Sequence, residues 1–189
     1  MSLTKNIFRT QCLKKIKNAP RVTKKYRDNL LNQKLLKIVK KYKNKKILFY
    51  YPMENEADVR KTLFFMRKIA DVYLPFMEGE SFKMVPFRLP LTRKQFGIFE
   101  AGNTLRKLNK IDIAIVPVVG VDGRFQRVGF GKGMYDRFFA KLRKRPYTLF
   151  VQQQFCYTKD LVCDVYDIKC DLYLTPYRQI KNVAYHMGK

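Results

Sequence analysis

The stretch IDIAIVPVVGVDGRFQRVGFGKGMYDRF, residues Ile111 to Phe138, decides how this 189-residue chain is read. Near its start, Ile113-Ala114-Ile115-Val116-Pro117-Val118-Val119 is a short, wholly apolar run. Such a run reads as a strand covered on both faces, the kind found inside a mainly parallel sheet. Glycines follow at positions 129, 131 and 133, and Met134, Phe138, Phe139 and Leu142 then fall at helical spacing. Strand, glycine loop and helix in that order suit an anion: glycine lets backbone N–H groups turn toward it, and a helix N-terminus adds favourable partial charge. Arg127 and Lys132 bring full positive charges to the loop, and Asp136 offers a carboxylate able to hold a hydrated Mg²⁺ against phosphates. The spacing is neither a Walker loop, which ends in G-K-[S/T], nor a full G-x-G-x-x-G. An ordinary tight strand-to-helix turn therefore stays open as the other reading.

Toward the N-terminus, Ile47-Leu48-Phe49-Tyr50-Tyr51 is a second buried strand stopped by Pro52, and Val72-Tyr73-Leu74 before Pro75 is a third. Between them Val59, Leu63, Met66 and Ile69 mark a helix, which gives the order strand, helix, strand. Leu31, Leu35, Ile38, Val39 and Tyr42 form one apolar stripe on a lysine-covered helix that opens after Thr23 as N-cap. Leu3, Ile7, Cys12 and Ile16 mark a first short helix closed by Ala19-Pro20. Phe82 to Phe87 and Gly97 to Phe99 read as short strands or connecting loops, because Pro86 and Pro90 interrupt the pattern. Tyr147 to Val151 and Leu172 to Leu174 supply late strands. The whole predicts one α/β domain over residues 1–189, a three-layer sandwich with a mainly parallel central sheet flanked by helices.

Hydrophobic residues make up 47% of the chain and aromatic residues 14%, which excludes a disordered chain and puts the charge on the surface of a folded one. No apolar run approaches the roughly 20 residues that span a bilayer. The segment MSLTKNIFRT has no hydrophobic signal core, so a cytoplasmic protein away from membranes is expected. The 40 Lys and Arg against 15 Asp and Glu give a formal charge of +25, and up to Lys46 there are 16 basic residues against one acid, Asp28. Clustered Lys and Arg are a footprint for phosphate, so a nucleic-acid-binding module is the main alternative function. Lysine-rich solvent faces of helices, or attraction of a small anionic ligand, explain the excess equally simply and are preferred. Cys12, Cys156, Cys163 and Cys170 form no C-x-x-C pair, and His186 is the only histidine, so the usual zinc spacings cannot be assembled. The cysteines are expected to be reduced packing thiols. The last three recur every seventh residue, a spacing that fits one helix face, while Tyr157, Val162, Val165 and Tyr166 suit strand and loop as well.

The run from Ile111 to Phe138 resembles the signature of the 5-formyltetrahydrofolate cyclo-ligase family, also called methenyltetrahydrofolate synthetase. There a strand ending in Val-Pro leads to an Arg-x-Gly-x-Gly-x-Gly-x-Tyr-Asp-Arg loop. Lys5 and Arg9 match the family's basic N-terminal helix, Tyr51 with Glu56-Ala57-Asp58 resembles its segment after the first strand, and Gln152 to Gln154 with Tyr166-Asp167 to Asp171 resembles its closing pattern. The likeness covers essentially the whole chain. Phe125 departs from it, standing where glycine is common; Met134 replaces the first residue of a frequent Tyr-Tyr pair, and Ala101 follows Glu100 where proline is usual.

The resemblance implies an enzyme that uses ATP and Mg²⁺ to convert 5-formyltetrahydrofolate, which can be polyglutamylated, into 5,10-methenyltetrahydrofolate by phosphorylating the formyl oxygen. It implies that Lys5, Arg9, Arg127, Gly129, Gly131, Lys132, Gly133 and Tyr135 bind ATP, with Arg127 and Lys132 also offsetting charge on the moving phosphoryl group. Asp136 and Asp167 would hold the metal, with Asp160, Asp164 and Asp171 as rival carboxylates. Tyr51 and Glu56 would face the pterin; a core role for Tyr51 and a helix-capping role for Glu56 are the structural alternatives. No protein nucleophile is needed, in keeping with a sequence that has no recognisable Ser-His-Asp or Cys-His arrangement. The same scaffold acting on a different N-acyl substrate is a further alternative. A monomer is expected.

Overall fold

The computed structural model describes residues 3–93, 99–104 and 110–183. Helix α1 spans Lys5–Lys17 and α2 spans Lys24–Val39, each followed by a short 3₁₀ turn or bend. Strand β1 is Lys46–Leu48, α3 is Arg60–Met66, β2 is Asp71–Glu78 and β3 is Ser81–Pro86. Short strands β4 (Thr92–Arg93) and β5 (Phe99–Glu100) pair with each other. Then come β6 (Ile113–Pro117), the two-residue strands β7 (Gly120–Val121) and β8 (Arg127–Val128), and helix α4 (Met134–Ala140). Strands β9 (Tyr147–Val151), β10 (Leu172–Leu174) and β11 (Gln179–Lys181) complete the described chain.

The main sheet has seven strands in the order β11-β10-β9-β6-β1-β2-β3. The five inner strands run parallel, and an antiparallel strand closes each edge. Alternate side chains of the inner strands feed two cores. On one face Ile47, Val72, Ile113, Ile115 and Leu149 pack with Leu31, Leu35 and Val39 of α2 and Leu63 and Met66 of α3. On the other, Leu48, Ala114, Val116, Phe150 and Tyr173 pack with Tyr135 and Phe138 of α4. The predicted three layers and parallel centre are thus present. Among the described residues no helix is long and apolar enough to cross a membrane.

Several expectations change in detail. Strand β2 does not stop before Pro75 but continues to Glu78; its pairing with β1 ends at Tyr73, and only β3 follows it further, so one side is open and the missing proline N–H is tolerated there. Phe82 to Phe87 resolves as edge strand β3, whereas Gly97 lies outside the described residues. Thr23 occupies the N-cap position of α2 but makes no capping bond; its hydroxyl bonds the Pro20 carbonyl instead. A two-strand hairpin, β7 with β8, is inserted between β6 and the glycine loop, so Arg127 sits on a strand rather than in the loop. At the hairpin's turn Phe125 has a left-handed φ of 60°, which costs an L side chain roughly 1–2 kcal/mol and explains why glycine suits that position in the resembling family.

The cysteine expectation is corrected. Cys12 and Cys156 are joined in a disulfide across 144 residues, while Cys163 and Cys170 remain free and buried. Helix α1 packs Phe8 and Cys12 against Val119, Val128 and Cys156, a contact between segments more than 100 residues apart that sequence spacing does not contain. The segment carrying the last three cysteines is bends and turns, not helix.

Candidate active site

Ligand sites in open α/β sheets lie beyond the carboxyl ends of the parallel strands. Here that region is built by α1, the β7–β8 hairpin, the glycine loop and the segment before β10. A cavity of about 420 Å³ lies among them, lined by Lys5, Arg9, Arg127, Gly129, Gly131, Lys132, Gly133, Asp136, Arg137, Ala140, Tyr166 and Asp167. Nine of the twelve residues expected in the site therefore meet in one place, although they come from three distant parts of the chain.

Each is positioned by local structure. Thr4 caps α1 through its hydroxyl on the Ile7 N–H, and Phe8, Cys12 and Ile16 bury one face of that helix. Lys5 and Arg9, four residues apart, share the neighbouring face and reach the cavity. Arg9 Nε donates to the Gly129 carbonyl at 2.9 Å. Lys5 Nζ bonds Asp167 and, at 3.1 Å, Asp164, with the Tyr166 ring 5.6 Å away. Burial works against the Lys5 charge, but the two aspartates outweigh it and hold its pKa above the ordinary lysine value. Arg127 is buried: Nε donates to the Pro117 carbonyl at 3.2 Å, Nη1 pairs with Asp136 at 3.2 Å, and the guanidinium lies 5.1 Å from the Tyr135 ring centre.

The glycine loop is shaped by close approach and by unusual backbone. A Cβ at Gly129 would meet the Arg127 guanidinium at about 2.5 Å, and Gly131 and Gly133 have φ of 106° and 57°. Helix α4 is only seven residues long, so the charge presented to an anion comes mainly from the five Lys and Arg side chains that line the cavity.

The carboxylates sort by environment. Asp171 is taken by Arg145 and by the Thr148 N–H at 2.6 Å, at the sheet, and Asp160 by Thr158 at 2.9 Å. Asp164 is exposed, its carboxyl held below the ordinary value by Lys5 and Tyr166. Asp136 and Asp167 line the cavity itself. Asp136 also accepts from the Ile168 N–H at 3.2 Å, and Asp167 from the Asp164 N–H at 2.7 Å, so both are anchored from behind. Among the described residues no cluster of three or more His, Cys, Asp or Glu is assembled for a metal. Two hard carboxylate oxygens beside a phosphate-sized cleft nevertheless fit Mg²⁺, which takes one or two protein carboxylates and completes its shell with water and phosphate.

Three expected residues are not in the cavity wall. Tyr135 points into the core behind it, edge-on to Phe82 at 5.0 Å, and burial pushes its phenol well up. Tyr51 is half-buried against Phe99 at 5.3 Å. Glu56 is buried, accepts from the Met53 N–H at 2.9 Å, and is pushed up to about 7 by burial, with that N–H and the Arg127 charge opposing. Its backbone carbonyl is held by Gln153, while Gln152 holds that of Val119, so the Gln152–Gln153 pair after β9 ties together the segment between β1 and α3 and the segment after β6. The charge of Arg127 acts on Glu56 and Tyr135 alike, which links the two groups electrostatically. Sequence reasoning assigned no role to Arg137 and Tyr166, although both stood in quoted motifs.

Known proteins share this fold and resemble this sequence. The NMR structure of Aquifex aeolicus 5,10-methenyltetrahydrofolate synthetase superposes with a TM-score of 0.75 at 26% identity, covering 95% of this chain and 93% of that one. A 5,10-methenyltetrahydrofolate synthetase structure from Mycoplasma pneumoniae shares the fold at a TM-score of 0.69 and 24% identity, covering 92% and 99%. In sequence, the 5-formyltetrahydrofolate cyclo-ligase of Mycoplasma pneumoniae is 28% identical over 171 residues, 90% of this chain and 97% of that one. That of Haemophilus influenzae is 26% identical over 141 residues, covering 69% and 74%. The sequence pattern of the family matches residues 2–176, spanning the glycine loop, both cavity aspartates and the basic N-terminal helix, and the chain belongs to the 5-formyltetrahydrofolate cyclo-ligase family.

Proposed function

We propose that this enzyme closes 5-formyltetrahydrofolate to 5,10-methenyltetrahydrofolate at the expense of ATP, releasing ADP and phosphate. The observation that carries the reading is the convergence of Lys5, Arg9, Arg127 and Lys132 with the glycine loop and two carboxylates on one cavity. The γ-phosphoryl group passes to the formyl oxygen, giving an iminium phosphate; the N10 amine attacks the formyl carbon, loses its proton, and the carbon–oxygen bond breaks as phosphate leaves. The former formyl oxygen departs in that phosphate.

The protein's work is alignment and charge neutralisation. Arg127 and Lys132 stabilise charge on the phosphoryl group, the amides of residues 129 to 133 cradle it, and Lys5 and Arg9 close the cavity from α1. Asp136 and Asp167 would hold Mg²⁺, which supplies Lewis-acid neutralisation of the phosphates. Tyr135 supports Arg127 from behind. Tyr51 and Glu56 are assigned to the pterin; with a pKa of about 7, Glu56 can donate as well as accept a hydrogen bond near neutral pH. The proposed catalytic unit is a monomer of one domain.

Substrate carrying ¹⁸O in the formyl group tests the chemistry. The reading expects the label in released inorganic phosphate; label retained elsewhere, or lost to water, would exclude phosphorylation of the formyl oxygen.

A further inference from the structure

Arg137 lines the cavity yet spends its guanidinium on backbone carbonyls. Its Nε and Nη2 donate to the Glu80 carbonyl at 2.7 and 2.5 Å, and Nη2 also donates to the Lys132 carbonyl at 2.5 Å. Glu80 lies in the turn joining β2 to β3, at the sheet edge, so this one side chain staples the glycine loop to a rigid hairpin. The peptide unit is planar and trans, hence holding the Lys132 C=O also fixes the direction of the Gly133 N–H on the opposite side of the same bond. Gly133 makes room for the arrangement: its backbone is left-handed, and a Cβ there would stand about 3.1 Å from Arg137 Nη1. On the other side of the loop Arg9 holds the Gly129 carbonyl in the same manner, which fixes the Phe130 N–H. The loop is therefore gripped at both ends by arginines that bind its carbonyls.

We infer that Arg137 is a positioning residue for nucleotide binding: it orients the amides of the glycine loop by holding the Lys132 carbonyl against the β2–β3 turn. The inference rests on the reading of this loop as the ATP phosphate site. A guanidinium is needed because its fork reaches two carbonyls at once; an ammonium at the same place keeps the charge without the two-way grip.

Three proteins separate this role from the alternatives: wild type, Arg137→Lys and Arg137→Ala. ATP affinity is measured calorimetrically with Mg²⁺, and exchange of the backbone amides of residues 129 to 133 is followed by hydrogen–deuterium mass spectrometry without any ligand. The expected result is faster loop exchange and roughly tenfold or greater loss of ATP affinity in both variants, with KM for 5-formyltetrahydrofolate within about twofold of wild type. Arg137→Lys behaving as wild type would overturn the inference in favour of a simple charge effect. Wild-type ATP affinity and loop exchange in Arg137→Ala would overturn it outright. A lowered thermal midpoint with unchanged affinity would reduce Arg137 to a structural tie and also overturn it. Failure of the wild-type protein to bind ATP would instead bring down the nucleotide reading itself, and the inference with it.

Discussion

Replacing Glu56 by Gln has an effect on stability whose size and pH dependence follow from the burial of this one carboxyl. Its pKa rises from an ordinary 4.5 in the unfolded chain to about 7 in the fold, because burial disfavours the charged form more than the Met53 N–H and Arg127 favour it. Below about pH 4.5 the group is protonated in both states and costs nothing. As pH rises from there, the unfolded chain gives up the proton while the folded protein keeps it, so stability falls until the folded carboxyl also ionises at about pH 7. The whole interval corresponds to about 3 kcal/mol, at roughly 1.4 kcal/mol per pH unit. Gln keeps the shape and can still accept from the Met53 N–H, but it cannot ionise. Urea unfolding of both proteins across the range, taken as the difference between variant and wild type, cancels every other titrating group. Glu56→Gln is expected to match wild type near pH 4.5 and to exceed it by about 3 kcal/mol at about pH 8. A difference that stays constant with pH would show that ionisation of the buried Glu56 carboxyl does not set the stability.

Further outcomes follow from the same structure. Asp136→Asn leaves the buried Arg127 guanidinium facing a neutral partner, so a loss of roughly 2 kcal/mol in urea unfolding and an intact far-UV CD spectrum are expected together with no detectable turnover. Gly129→Ala places a methyl on the Arg127 guanidinium, and ATP affinity measured by calorimetry should drop while the folate KM changes little. Reducing the Cys12–Cys156 bond opens a loop of 144 residues, for which the chain-entropy argument gives about 5 kcal/mol. Dithiothreitol should lower the unfolding midpoint of wild type and leave that of a Cys12→Ser, Cys156→Ser double variant unmoved. Lys5→Met removes the cation between Asp164 and Asp167, and the Asp164 carboxyl should move up toward its ordinary value in an NMR titration.

The parallel centre of the sheet was legible because several of its strands contain continuous apolar runs, a pattern that burial on both faces imposes. Residues Ile113 to Val119 and Ile47 to Leu48 carry it without reference to the rest of the chain. What could not be read depends on contacts between distant segments. The Cys12–Cys156 bond needs α1 to fold back over the hairpin, and nothing in either local sequence encodes that. Arg127 looked like a loop residue because a hairpin of two-residue strands leaves almost no periodic signal. Pro75 marked an apparent strand end that an open strand side removes. In the site, the glycines and their flanking charges were visible as a local cluster. That Asp167 lines the cavity while Asp171 and Asp160 are held elsewhere by Arg145, Thr148 and Thr158 shows only in the fold. The role of Arg137 was hidden for the same reason, since its partners are backbone carbonyls of Glu80 and Lys132.

The glycine-loop cavity is proposed to carry out an ATP-dependent folate cyclisation. Absorbance at the methenyl-folate band, after mixing the purified protein with 5-formyltetrahydrofolate, ATP and Mg²⁺, tests it most directly, with Lys132→Ala and Asp136→Asn run beside the wild type. A rise that requires all three components and is lost in both variants is expected. Folded wild-type protein that gives no rise, or variants that give the full one, would contradict the proposal.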